Sequence, residues 1–319
     1  MVDWQGRSLI DLASLTAAEI EAILTQALAM KKFIASGAKK TDLLRGKAIV
    51  NVFSENSTRT RSSFELAGKY LGADVININK STSSMTKGES LRDTLLTVAA
   101  LAADAIVMRH EASGAAAYAV EIGKRFPHFP VVINAGDGLH AHPSQGLLDL
   151  FTVREQKGRI KGLKYVIVGD ILHSRVARSD LAGFTKLGAE VHMVGPRTLV
   201  PREFAELGAI LHTDLKEALR DADAIQILRL QNERAAAGFI PNNREYARTY
   251  GISSALLQEV APDAMIMHPG PINRGVEISH ELAYAQNAFL QTQVKNGVCV
   301  RMAILNEVLN GGNGIEALA

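Results

Sequence analysis

Cysteine is almost absent from this chain. Cys299 stands alone among 319 residues, so no internal disulfide can form and no cluster of thiolates can hold zinc. A lone thiol fits a reducing compartment, and the expected location is the cytoplasm. An excess of either charge is also missing. Lys plus Arg number 35 against 33 Asp plus Glu, a formal net charge of +2, which excludes a nucleic-acid-binding stripe and a polybasic membrane patch. Any positive potential must therefore be local. Long apolar runs are lacking as well. Residues 95–108 form the longest, but Thr97 and Asp104 interrupt it, and it falls short of the roughly 18 residues a membrane span needs. The first twelve residues carry Asp3 and Asp11 and no apolar centre, so no signal peptide is expected. The nine histidines show no H-E-x-x-H or similar ligand spacing, and no metal is expected. Neither G-x-x-x-x-G-K-[ST] nor G-x-G-x-x-G occurs.

What the chain has is 47% hydrophobic residues, at a length that suggests about two domains of roughly 150 residues each. Residues 16–34 place Ile20, Ile23, Leu24, Ala27 and Leu28 at helical spacing and stop at Gly37, so an amphipathic helix opens the chain. Strands are then expected at 48–53, 74–78, 105–108 and 131–135, alternating with helices at 60–71, 90–102, 114–125 and 144–156. After the basic, glycine-punctuated segment 157–164 the pattern restarts at Tyr165-Val166-Ile167-Val168-Gly169. Further strands are expected at 190–194, 209–211, 224–228 and 265–267, with helices between. Residues 298–309 are helical by pattern and end at Gly311-Gly312. Two doubly wound α/β domains with parallel sheets are the simplest account.

The most informative stretch is Phe53-Ser54-Glu55-Asn56-Ser57-Thr58-Arg59-Thr60-Arg61-Ser62-Ser63-Phe64-Glu65. It leaves an apolar strand and enters Phe64, Ala67 and Leu71, spaced i, i+3, i+7, so residues 57–60 form the first turn of a helix. Such a turn has unsatisfied backbone N–H groups and the positive end of the helix dipole. With three hydroxyls and two guanidinium groups added, a phosphate oxygen is the natural guest. An N-cap at Ser57 or Thr58, with arginines on a solvated face, would explain any one of these residues. Five consecutive polar residues at a strand exit favour the anion site.

A short echo extends the point: residues 103–109 (ADAIVMR) and 222–229 (ADAIQILR) both read as strands that end in arginine. In open α/β sheets, ligands bind beyond the carboxyl ends of the strands. Collecting the strand exits gives Ser57 to Arg61, Arg109, His142 with Gln145, Arg175, Arg229 with Gln231 and Arg234, and His268 with Pro269-Gly270-Pro271. So many guanidinium groups in a nearly neutral chain suit small polyanions. His142-Pro143-Ser144-Gln145 reads as a helix start with Pro at the first position. A neutral imidazole there would be able to donate to a carbonyl oxygen. Residues 78–89 are a polar surface loop in which Thr86 and Glu89 are spaced to box the next helix. Gly169-Asp170 after a strand invites a nucleotide, but Arg175 stands where small residues would admit a pyrophosphate.

F-x-E-x-S-T-R-T-R-x-S-F-E resembles the carbamoyl phosphate signature of the aspartate and ornithine carbamoyltransferases, and H-P-S-Q and the S-x-x-x-K-G-E loop resemble further motifs of that family. The resemblance covers nearly the whole chain. It implies a carbamoyl phosphate-binding domain of residues 1–142 plus 295–319 and an aspartate-binding domain of residues 143–294, with the active site in the cleft between them. It implies that Ser57, Thr58, Arg59 and Thr60 hold the phosphate, aided by Ser83 and Lys87 from a neighbouring subunit of a homotrimer. Thr60, Arg109 and His142 would polarise the carbonyl oxygen. Gln145 and the segment Pro269, Gly270 and Pro271 would orient the carbamoyl NH₂. Arg175, Arg229 and Gln231, with Lys87, would fix aspartate's carboxylates, and Glu55 and Arg234 would pair to stabilise a closed form. No cofactor is implied.

Two features favour aspartate over ornithine as acceptor. Arg229 and Gln231 offer donors for a side-chain carboxylate, and the H-C-L-P cysteine typical of ornithine enzymes is replaced in His268-Pro269-Gly270-Pro271. The expected reaction gives N-carbamoyl-L-aspartate and phosphate, the committed step toward pyrimidines. Gly270 and Asn273-Arg274-Gly275 resemble a branch whose members often associate with dihydroorotase; regulatory chains are the other expected class of partner. Ornithine carbamoyl transfer and a catalytically silent scaffold are the alternatives, the second disfavoured because STRTR, Lys87 and Arg109 are all present.

Overall fold

A computed structural model describes residues 4–231 and 238–318. The chain divides into two compact units, Met1–Phe151 with Val294–Ala319, and Thr152–Gln293.

The first unit opens on α1 (Ala17–Ala35), which starts at a complete capping box: the Thr16 side chain accepts from the Glu19 amide while the Glu19 carboxylate accepts from the Thr16 amide. Then come β1 (Ala48–Phe53), α2 (Thr58–Tyr70), β2 (Asp74–Asn79), α3 (Leu91–Ala100), β3 (Ala105–His110), α4 (Ala115–Gly123), β4 (Val131–Asp137) and α5 (Pro143–Lys157). The strands form one parallel sheet in the order β2-β1-β3-β4. Val50, Val52, Ile106, Met108 and Val132 pack on one face with residues of α3 and α4, among them Leu95, Val98, Ala116 and Ala119. The alternate residues Ile49 and Phe53 are buried too, which is why β1 reads as an apolar run interrupted only by the buried Asn51.

The second unit contains β5 (Lys164–Val168), α6 (Arg175–Lys186), β6 (Glu190–Val194), β7 (Ile210–His212), α7 (Leu215–Leu219), β8 (Ala224–Ile227), α8 (Asn243–Tyr250), α9 (Ser254–Val260) and β9 (Met265–Met267). Its sheet is also parallel, ordered β7-β6-β5-β8-β9. Val166, Val168, Ile225, Ile227 and Ile266 form the core of one face with Leu219, Leu257 and Ile278. Tyr165 stacks on Phe184 at 3.7 Å between ring centres and donates its hydroxyl to Asp180 at 3.0 Å.

The sequence echo has a structural cause. Asp104 accepts from the Ala48 amide at 2.8 Å and Asp223 from the Lys164 amide at 2.9 Å. Each aspartate thereby secures the first residue of the central strand of its sheet, and the strand that follows each aspartate runs beside that central strand.

Two local expectations are corrected. Thr86 does not cap α3. Ser90 does, accepting from the Asp93 amide at 3.2 Å, while Glu89 accepts from the Thr94 hydroxyl at 2.6 Å. Residues 80–82 and 84–87 instead form two short 3₁₀ turns. The last helix, α10 (Leu290–Asn310), is longer than residues 298–309, because Gln291, Thr292, Gln293, Lys295 and Asn296 hide the apolar period of its first turns. From residue 296 onward it is fastened to α1, with Lys31 donating to Asn296 at 2.8 Å and Gln26 to the Glu307 carboxylate. No described helix is long and apolar enough to cross a membrane.

Candidate active site

Strand order decides where each unit presents its polar residues. In the first sheet the order reverses between β1 and β3, and in the second between β5 and β8. The carboxyl ends of such strand pairs open a crevice. Both groups of polar residues lie there.

In the first unit, Ser57 is the N-cap of α2 by position, with extended backbone and no side-chain capping bond, so its hydroxyl is not spent on the helix. Thr58, Arg59 and Thr60 form the first turn, Thr58 and Arg59 exposed and Thr60 buried. Among the described residues Arg59 makes no ion pair. Arg61 differs: it donates to Asn79 at 2.8 Å and ties α2 to the end of β2. Arg109 sits on β3 in register with Phe53, and its carbonyl accepts from the Ser54 amide at 2.9 Å, so it stands directly beside the β1 exit. Its guanidinium is fixed by the Glu55 carboxylate at 3.1 Å and the Ala135 carbonyl at 3.4 Å. Glu55 is thus engaged within its own unit. Its expected partner Arg234 lies outside the described residues.

His142 and Gln145 arrive by way of β4. The turn after β4 is organised by Asp137, which accepts from Asn134 at 2.8 Å, from the Gly114 amide at 2.8 Å and from the Ala141 amide at 3.2 Å. Burial raises the Asp137 pKa, but the bonds from His140, Asn134 and Gly114 outweigh it and hold the carboxyl below its ordinary value. His142 immediately precedes α5 and is buried; its carbonyl accepts from the amides of Gln145 at 2.9 Å and Gly146 at 3.1 Å. The Gln145 amide nitrogen in turn donates to both oxygens of Asp149, at 3.0 and 3.1 Å. Arg301 of α10 is buried nearby. Burial lowers its pKa to about 10 while the charge of Asp149 opposes the fall, so it stays cationic at neutral pH.

Ser83 lies between the two 3₁₀ turns after β2, and Lys87 ends the second. Ser83 donates to the Lys80 carbonyl at 3.4 Å, and Met85 brings this loop against the Ser54 hydroxyl at 4.0 Å. Lys87 is exposed and makes no ion pair among the described residues.

In the second unit, Gly169 follows β5 with φ of +125°, and a Cβ there would stand 2.9 Å from the Tyr246 hydroxyl and 3.2 Å from the Leu228 carbonyl. Glycine therefore lets the chain turn and bury Asp170. That carboxylate accepts from the His173 amide at 3.2 Å, the His173 ring at 2.9 Å and the Gln231 amide at 3.3 Å. Gln231 donates back to the His173 carbonyl at 3.1 Å. Arg175, the first residue of α6, is buried just after this knot, and Arg229 lies just past β8. Arg175, Arg229 and Gln231 thus follow the carboxyl ends of β5 and β8, and Gln231 is held by Asp170 and His173, two residues with no expected role.

After β9, the Gly270 amide donates to His268 Nδ1 at 2.8 Å, which puts the ring proton on Nε2, 3.2 Å from the buried Glu277 carboxylate. The Gly270-Pro271 peptide is cis, and Pro269 and Gly270 are half-buried.

Comparison with known proteins decides the family. Residues 7–155 match the description "Aspartate/ornithine carbamoyltransferase, carbamoyl-P binding domain", and residues 161–308 match "Aspartate/ornithine carbamoyltransferase, Asp/Orn binding domain". The chain belongs to the aspartate/ornithine carbamoyltransferase family. A carbamoyltransferase relative from Desulforamulus reducens, named aspartate carbamoyltransferase catalytic subunit, is 54% identical over 309 residues, covering 97% of each chain. One of the same name from Pelotomaculum thermopropionicum is 53% identical and covers 96% of this chain and 98% of its own. Among solved structures, aspartate transcarbamoylase from Trypanosoma cruzi in complex with carbamoyl aspartate and phosphate superimposes with a TM-score of 0.85 at 31% identity, covering 96% of this chain and 97% of that one. Ornithine carbamoyltransferase from Pyrococcus furiosus reaches the same TM-score, 0.85, at 32% identity, covering 98% of this chain and 99% of that one. Two proteins named for different acceptors thus match this fold equally well.

Proposed function

We propose that this protein is an aspartate carbamoyltransferase, a cytoplasmic enzyme of pyrimidine synthesis. It forms a bond between the carbonyl carbon of carbamoyl phosphate and the α-nitrogen of L-aspartate as the bond from that carbon to the phosphate oxygen breaks. The observation that carries the reading is the hydroxyl- and arginine-rich first turn of α2, set at the strand-order reversal of its sheet beside Arg109. Ser57, Thr58, Arg59 and Thr60 hold the phosphate through side chains and helix amides. Thr60, Arg109 and His142 donate to the carbonyl oxygen as charge develops on it. Gln145, with the backbone of Pro269, Gly270 and Pro271, orients the carbamoyl NH₂. Arg175, Arg229 and Gln231 fix the two carboxylates of aspartate, with Lys87, and Arg234 joins Glu55 in closing the site. The departing phosphate accepts the amine proton, so positioning and charge stabilisation are the protein's contribution.

Aspartate rather than ornithine is favoured by the sequence His268-Pro269-Gly270-Pro271, which has no cysteine, and by the carboxylate donors after β8. Assay of the purified protein with carbamoyl phosphate and each amino acid tests this: turnover with aspartate and none with ornithine is expected, and the reverse refutes it.

The active form is a homotrimer in which Ser83 and Lys87 complete a neighbour's site. Mixing inactive Arg59→Ala and Lys87→Ala proteins under conditions of subunit exchange should restore about a quarter of wild-type activity, because random assembly leaves that share of shared sites free of either lesion. No recovery after proven exchange would mean self-contained sites.

A further inference from the structure

Under the function proposed above, Gln145 meets the carbamoyl NH₂. It can do so only with its oxygen, because the substrate nitrogen is a donor. A glutamine amide is nearly symmetric in shape, so an unsupported one would present its nitrogen as readily as its oxygen. One helical turn away, Asp149 removes that freedom. Its two oxygens lie 3.1 and 3.0 Å from the Gln145 amide nitrogen, and turning the amide over would set oxygen against carboxylate. Asp149 is fully buried and Gln145 is 8% exposed, so little water screens the pair. No described residue donates to the Gln145 oxygen.

The carboxylate has support of its own. Arg301 is buried, interacts electrostatically with Asp149, and donates to the Ser144 hydroxyl at 3.4 Å. Its guanidinium lies over the Phe64 ring at 5.1 Å. Gly297 makes room for it, since a Cβ there would come within 2.5 Å of Arg301 Nη1.

We propose that Asp149, backed by Arg301, is a positioning residue that holds the oxygen of Gln145 toward the substrate and thereby selects a carbamoyl donor over an acyl donor. A group ending in NH₂ finds an acceptor, and one ending in CH₃ finds an acceptor it cannot use.

Carbamoyl phosphate and acetyl phosphate differ by that one group, so the dissociation constant of acetyl phosphate divided by that of carbamoyl phosphate, measured by calorimetry on the full-length assembled protein, reads the orientation directly. Asp149→Asn introduces a side chain that can also donate and so frees Gln145 to turn. The ratio should fall about fivefold, the weight of one neutral hydrogen bond, through weaker carbamoyl phosphate binding, while acetyl phosphate and inorganic phosphate bind as before. Equal weakening of all three ligands would mean general loosening and would overturn the proposal, as would an unchanged ratio. The exchanged pair Gln145→Glu with Asp149→Asn again puts a donor behind and an acceptor in front, and should regain the preference; failure to regain it also counts against Asp149. Gln145→Ala tells the two possible failures apart. If it leaves the ratio untouched, Gln145 does not meet the carbamoyl group and its assigned role falls. If it abolishes the preference while Asp149→Asn does not, only the positioning role falls.

Discussion

The two units solve the same topological problem with opposite economies of hydrogen bonding. Each has a parallel sheet whose strand order reverses once, an aspartate that secures the first residue of the central strand, and an arginine at or just past the end of the neighbouring strand. In the first unit the proposed site residues are in part uncommitted to the fold: the Ser57 hydroxyl makes no capping bond, and Arg59 and Lys87 reach solvent, while Arg109 and Gln145 are held by Glu55 and Asp149. In the second, Gln231 is bound at both its amide and its side chain, and Arg175 is buried behind the Asp170 knot. The difference follows from the proposed ligands. A phosphate dianion can organise amides and guanidinium groups around itself. A smaller carboxylate charge on a flexible amino acid rewards donors oriented in advance.

The sharpest break in this comparison should come from the first unit's chemistry. His142→Ala removes a proposed donor to the carbonyl oxygen and should lower kcat by roughly 10² to 10³ fold. The KM for aspartate should move little, because the second unit's clamp is untouched. Steady-state kinetics with both substrates varied would check it, and a near-normal kcat would remove His142 from the reaction.

The second unit should answer in the other parameter. Asp170→Asn withdraws the charge that holds His173 and the Gln231 amide, bonds worth about 1.5–3 kcal/mol each when the acceptor is charged. The kcat/KM for aspartate should fall roughly 10- to 100-fold while inorganic phosphate binds with unchanged affinity. Loss of phosphate binding would show that the two groups are not separately scaffolded.

Much of this arrangement is legible in the sequence because it is local. Buried parallel strands such as Ala48–Phe53 and Lys164–Val168 read as apolar runs with Asn51 and Lys164 the exceptions, and the anion-binding turn is a contiguous cluster. Sheet order is not local, so the reversals between β1 and β3 and between β5 and β8 could not be read from it. Asp170 meets Gln231 across 61 residues, a pairing no spacing rule reveals. Asp149 is a different case: its i, i+4 spacing from Gln145 is a recognised helix pair, and that signal was present. Arg61 shows the converse, a residue inside the motif whose guanidinium serves the fold. The cap expected at Thr86 is instead Ser90, the residue adjacent to the first turn of α3.

Acid should separate the units by a smaller margin. In the second, His192 and His212 approach at 2.8 Å between ring nitrogens, with Glu190 at 3.8 Å from His192 and Glu217 at 3.7 Å from His212. Burial, then the charges of Lys164 and His212, lower the His192 pKa, with Glu190 opposing. The folded state thus favours the neutral ring, and its advantage is lost as pH falls from the ordinary histidine value of about 6.5 toward the depressed one. In the first unit Asp137 has a depressed carboxyl pKa, so its contribution persists above about 3.9 and is lost only as pH falls through the still lower folded value. Hydrogen exchange followed from pH 7 to pH 4 should therefore show β6 and β7 loosening before the turn at Asp137. His192→Gln should delay that first loosening, shifting the melting temperature at pH 5 upward by about 2–4 °C relative to wild type. Simultaneous loosening of both regions, unaffected by the substitution, would assign the acid response to groups other than this imidazole pair.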